Sequence, residues 1–179
     1  MQINLFTNGK TNTQSVTKAS ISLAVAAVLL TAFLAFPAAA QKLVPFQGSL
    51  QGLETDTPQG GSPPTTLNAD GNTTGIATLV GQFSFTYQLT VTLATATATG
   101  SGHLVAANGD SIYTTIAGAL ETTPTPGVDS ITEINTITGG TGRFAGAQGS
   151  FTVERLINLA TGFTSGSFHG TITSPGTAH

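Results

Sequence analysis

The chain has 179 residues, with 22 Gly, 8 Pro and 33 Thr but no Cys and no Trp. This is too rich in Gly and Thr for a helical bundle, and the lack of Cys excludes disulfides, thiolate zinc sites and thiol nucleophiles. Lys plus Arg is 5 against 8 Asp plus Glu, a net charge of -3, so no basic footprint exists to hold phosphates and no nucleic-acid partner is expected.

Met1 to Ser20 is polar, carries Lys10 and Lys18, and has no acidic residue. Ile21 to Phe36 is apolar except for Ser22 and Thr31, and Pro37 and Ala38-Ala39-Ala40 follow. A basic start, an apolar stretch and small residues at the exit read as a secretory signal peptide over 1–40, cleaved after Ala40. The competing reading is an uncleaved anchor, against which Pro37 and the Ala-rich exit argue. The remaining 41–179 is expected to be a single domain, secreted or periplasmic, with no stable membrane insertion after cleavage. It holds three cations, Lys42, Arg143 and Arg155, against all eight acids.

Strands are predicted in chain order at Leu43 to Leu53, Thr73 to Gly81, Phe83 to Leu93, Ala96 to Ala107, Asp110 to Glu121, Val128 to Thr138, Gly149 to Leu159 and Phe163 to Thr173. The clearest is the third, in which Phe83, Phe85, Tyr87, Leu89, Val91 and Leu93 alternate with Ser84, Thr86, Gln88, Thr90 and Thr92. A period of two is the signature of a strand with one buried face. Residues 54–72, with Pro58, Gly60, Gly61, Pro63, Pro64 and Gly71, read as a flexible Pro/Gly-rich loop. Asn108-Gly109 signals a tight type I′ hairpin. Asp56, Asp70 and Asp129 are expected in turns.

Eight short-linked strands, no helix and few charges to guard open edges predict an all-β fold, an eight-stranded antiparallel β-barrel, because closure removes edges. A β-sandwich is the structural alternative. A transmembrane barrel is disfavoured by the lack of aromatic girdles.

Gly140, Gly142 and Ala145 stand at the spacing of a dinucleotide-binding turn. That turn works only when a helix follows it, and the alternating Phe151, Val153 and Arg155 follow instead. The glycines Gly139, Gly140 and Gly142 are read instead as a structural turn, with Phe144 plugging the barrel end and Arg143 exposed.

The run Gly139-Gly140-Thr141-Gly142-Arg143-Phe144-Ala145-Gly146-Ala147-Gln148-Gly149 resembles a segment of the allene oxide cyclase barrel superfamily, which includes plant dirigent proteins and many exported bacterial proteins. Ala106-Ala107-Asn108-Gly109-Asp110 is similar to a turn of the bacterial members, and Leu43-Val44-Pro45-Phe46 resembles an early cyclase strand. The resemblance spans about Leu43 to Ser174 and implies an eight-stranded barrel with a central apolar cavity, often oligomeric among the plant relatives. It implies isomerase, cyclase or dirigent chemistry on a lipid-derived or phenolic substrate. Where the cyclases carry an Asn and then a Lys after the early strand, this chain reads Gln47-Gly48.

Glu133 shares the parity of Ile131 and Ile137, and Arg155 that of Phe151 and Val153, an odd placement for charges in apolar rows. Pairing of their strands about Phe144 would put the two opposite each other. The pair is then either a solvated ion pair on the exterior or an internal pair that anchors a ligand carboxylate or tunes Glu133 as a base. Tyr87 in its apolar row and Tyr113 complete the candidate cavity set, each as core or as a ligand-orienting hydroxyl. His103, His169 and His179 have no metal-ligand spacing, and no cofactor is expected. Ser101, His103 and Asp110 lack the strained turn of a nucleophile. Asn72-Thr73-Thr74 is a glycosylation acceptor pattern.

The expected role is a non-catalytic binder of a small apolar molecule, as barrels of about eight strands can hold one ligand. An isomerase, or a structural barrel filled by its own side chains, are the alternatives, and a homo-oligomer is one expected assembly.

Overall fold

The computed structural model describes residues 42–176; the expected signal peptide and His179 lie outside them. Eight strands follow one another: β1 (Leu43–Gln59), β2 (Thr66–Ala77), β3 (Gly81–Thr92), β4 (Thr97–Ala106), β5 (Ser111–Thr122), β6 (Val128–Gly140), β7 (Gly149–Asn158) and β8 (Phe163–Thr173). A 3-10 turn at Gly142–Phe144 lies between β6 and β7. Each strand pairs antiparallel with the next, and β1 pairs with β8 from Leu43↔Thr173 to Leu53↔Phe163, so the sheet closes into a barrel. The expected fold class is the observed one.

Inward rows are read directly from the alternation. On β3, Phe83, Phe85, Tyr87, Leu89 and Val91 are buried while their neighbours are exposed. Large rings fit an eight-stranded interior because glycines face them. A Cβ at Gly71 would strike the Tyr87 ring, one at Gly75 would lie 2.7 Å from Phe83, and one at Gly102 would meet Phe85. Phe46 packs edge-on against Phe151 with ring centroids 5.3 Å apart, and both touch Phe168. Each such pair contributes about 0.5–1.5 kcal/mol beyond its buried area.

The two ends of the barrel differ. At the end holding the start of β1, Phe144 is buried in the core. Beside it, exposed Arg143 donates to Asp110 Oδ2 at 2.9 Å and to the Leu79 carbonyl at 3.3 Å, tying three turns together. Gly139 and Gly142 have positive φ, as the compact turn requires. The aromatic cluster fills this half. The opposite end, where β1 finishes, is ringed by Leu67, Val91, Leu120 and Leu159, and is termed the mouth below.

Three local expectations are corrected. Residues 54–72 are not a loop: β1 and β2 pair out to Gln59↔Thr66, leaving only 60–65 as the connection. Beyond Glu54, whose N–H donates to the Gly162 carbonyl, β1 no longer pairs with β8 and has one free edge, where a proline such as Pro58 is tolerated. Asp56, Asp70 and Asp129 accordingly lie in strands β1, β2 and β6, not in turns. The Asn108-Gly109 turn is not type I′. Only Gly109 has positive φ, at 89°, its N–H donates to the Ala106 carbonyl, and the Asp110 N–H donates to Asn108 Oδ1. Three residues separate Ala106 from Asp110, the loop length that selects a type I turn followed by a left-handed glycine.

Candidate functional site

Below the mouth, four polar side chains converge in an otherwise apolar interior. Glu54 ends the inward row Phe46, Leu50, Glu54 of β1, Tyr87 stands mid-row on β3, Glu133 on β6 and Arg155 on β7. Arg155 is 3% exposed and Glu133 2%. The internal reading of this pair is therefore the observed one, and the exterior ion pair is not formed.

The expected cross-strand register is off by two. Glu133 faces Val153 and Arg155 faces Ile131, because the β6–β7 connection is centred on Arg143, the middle of the 3-10 turn, and not on Phe144. The long Arg155 side chain recovers the contact diagonally. Its Nε donates to Glu133 Oε2 at 3.3 Å and its Nη2 to Glu133 Oε1 at 2.8 Å, a bidentate fork. Nη2 also lies 2.8 Å from Glu54 Oε2, and Nη1 donates to Thr164 Oγ1 at 3.0 Å. Tyr87 donates its hydroxyl to Glu54 Oε2 at 2.6 Å, while the guanidinium sits 5.0 Å from the Tyr87 ring centroid. Gly118 opens the space, since a Cβ there would lie 2.8 Å from Glu133 Cγ.

Burial alone would push the Arg155 pKa down, but Glu133, by charge and hydrogen bonds, then Tyr87 and Glu54, hold it above the usual guanidinium value, so it stays a cation. Burial, followed by the Glu54 and Glu133 charges, raises the Tyr87 hydroxyl well above a free phenol against the pull of Arg155, so Tyr87 stays neutral and acts as a donor. Two carboxylates against one guanidinium leave the cluster acidic. Asp56, two residues beyond Glu54 at the rim, adds to this. Desolvation, then the Glu54 charge and a hydrogen bond with Glu54, raise its pKa, and Arg155 offsets only part of the rise.

Arg155 commits Nε and Nη2 to Glu133 and Nη1 to Thr164, with Nη2 also 2.8 Å from Glu54, so its guanidinium is held by protein oxygens. What the cluster offers toward the mouth is carboxylate oxygen, an acceptor for a hydroxyl or amine. Free space between Glu54, Leu89, Val91, Leu120, Ile131 and Arg155 amounts to only about 20 Å³. That is room for about one water. Among the described residues no group of three or more side chains converges as a metal site.

Tyr113 does not join the cavity. It faces outward on β5, 42% exposed, and stacks on His103 with ring centroids 4.8 Å apart. Inward Ile112 and Thr114 flank it, so the alternation carries the signal. Glu54, Thr164 and Asn135 were not singled out from the sequence, and Asp56 was read only as a turn residue. Glu54 and Asp56 continue the even-numbered row of β1 into the stretch that looked like a loop. Asn135 is fully buried on the β6 row of Glu133, accepts from Thr114 Oγ1 at 3.0 Å, and leaves its Nδ2 without a partner.

No protein-family model matches the sequence, and no curated protein is similar to it. Among solved structures the chain is similar to the pterocarpan synthase dirigent protein GePTS1, with a TM-score of 0.54 and 13% identity over 75% of this chain and 92% of that one. The likeness supports a dirigent-like barrel fold. It does not single out the cyclase branch, whose early strand Leu43-Val44-Pro45-Phe46 resembles.

Proposed function

We propose that the protein is an exported barrel that holds a small, largely apolar molecule at its mouth, with a hydroxyl or amine of that molecule donating to the Glu54–Asp56 carboxylates. The observation that carries this reading is the acidic cluster itself. Desolvating two carboxylates and a guanidinium costs several kcal/mol per ion, and apolar side chains would fill the same space at less cost. The excess negative charge beneath a ring of leucines and valines matches an amphipathic donor. Turnover is not part of the proposal, because among the described residues no nucleophile or acid–base pair brackets a reacting centre.

The free volume favours a second reading. Ligand cavities run to about 300–1,000 Å³, against about 20 Å³ here, and on this reading the barrel is a filled structural body with an internal ion-pair clamp. Titration with 1-naphthol, followed by amide NMR, separates the two. The binding reading expects saturable shifts at Leu67, Val91, Leu120 and Leu159 that are lost in Glu54→Gln. A filled barrel gives none. Native mass spectrometry of the same sample reports subunit number and any co-purified small molecule.

A further inference from the structure

On the outside of the barrel, across β2 to β5, lies a groove of about 500 Å³ separate from the mouth. Its floor and walls follow from the register. One rung of the sheet carries Asp70, Gln88, Ser101 and Thr115 side by side, through the pairs Asp70↔Gln88, Gln88↔Ser101 and Ser101↔Thr115. The adjacent rung carries His103 opposite Tyr113. Small Ser101 makes the depression. The stacked His103–Tyr113 rings form one wall, and Asp70 with Gln88, joined by a 3.0 Å hydrogen bond from Gln88 Nε2 to Asp70 Oδ1, forms the other. With strands about 4.8 Å apart and about 3.4 Å per residue, the rings on β4 and β5 stand about 5–10 Å across the sheet and about 7 Å along it from the amide on β3.

We propose that this groove binds a pyranose ring of a neutral saccharide, its face stacked on Tyr113 and its hydroxyls bonded to Asp70, Gln88 and Ser101. An exposed aromatic face beside a carboxylate, an amide and a hydroxyl is a mixed surface that suits a ring with apolar faces and a polar rim. The volume falls in the range of small-molecule sites. No Lys or Arg lines the groove, and its one formal charge is the Asp70 carboxylate, so anionic sugars and phosphates are selected against. His103 Nε2 is buried at this wall and has no hydrogen-bond partner among the described residues.

The test is an amide NMR titration of the folded protein with cellopentaose, xylopentaose and N-acetylchitopentaose. At least one probe is expected to shift Ser101, His103, Tyr113 and Thr115 in a saturable way. Tyr113→Ala is then expected to weaken that affinity by about tenfold or more. Asp70→Asn, a surface change that preserves shape, serves as the second variant. Unperturbed groove amides with all three probes, or affinity unchanged in both variants, would overturn the proposal. Because the mouth is probed by 1-naphthol and the groove by saccharides, either site can fail without the other.

Discussion

Arg155 and Glu133 are joined by a two-bond fork inside the barrel although neither faces the other across the sheet, Arg155 standing opposite Ile131. The diagonal reach places Nη2 of the guanidinium 2.8 Å from both Glu133 Oε1 and Glu54 Oε2.

Removing one partner strands a buried charge. Arg155→Ala is expected to destabilise the fold by about 3–5 kcal/mol, read from the midpoint of urea unfolding. Replacing Arg155, Glu133 and Glu54 together by Met, Leu and Leu should recover most of that loss, since an apolar set of similar volume restores packing without ions. A triple variant as unstable as Arg155→Ala would contradict the reading of the cluster as a costly, functional acid site.

Asp56 gives a pH test. Its pKa is raised in the folded state, so between the ordinary carboxyl value and the raised one the native chain binds more protons than the unfolded chain, and its contribution to stability falls as pH rises through that window. Asp56→Asn should therefore raise the melting temperature at neutral pH, with the gain vanishing below the ordinary carboxyl range. Equal gains at both pH values would show that the effect is not ionisation.

The inward glycines are space for aromatic rings. Gly71→Ala would drive a methyl into Tyr87 and is expected to cost about 1–3 kcal/mol by overpacking. Thermal unfolding reads the loss, and adding Tyr87→Leu should return part of it. A Gly71→Ala chain of unchanged stability would mean that the ring has room to move.

Phe144 anchors one end of the barrel from within the core, whereas Arg143 next to it is exposed. Phe144→Ala is expected to cost about 3–5 kcal/mol. The Asp110 carboxyl is held below its usual pKa by hydrogen bonds from Arg143 and Asn108, so that contribution is present at neutral pH and fades as pH falls through the lowered value. Arg143→Ala should consequently change the melting temperature little, and less still in acid.

Most of the barrel was legible because its strands alternate cleanly. Phe83 to Val91 names its buried face outright, and Glu133 and Arg155 announced themselves as charges on apolar parity. Glu54 was hidden for a physical reason: Pro58, Gly60 and Pro63 carry loop chemistry, yet past Glu54 the strand has a free edge on which proline costs no ladder bond. The row Phe46, Leu50, Glu54 was the available signal. Tyr113 was misplaced for the opposite reason, since residue type outweighed its outward parity between Ile112 and Thr114. The two-residue slip between Glu133 and Arg155 could not be read at all, because it depends on where the glycine-rich turn finds its centre.

The acidic mouth is proposed to receive a donor-bearing apolar molecule. The most direct measurement is the affinity for 1-naphthol by isothermal titration calorimetry, in the wild type and in Glu54→Gln. Saturable one-site binding to the wild type, weakened about tenfold or more by the variant, is the predicted result. No heat of binding to either protein, or equal affinity for both, would contradict it.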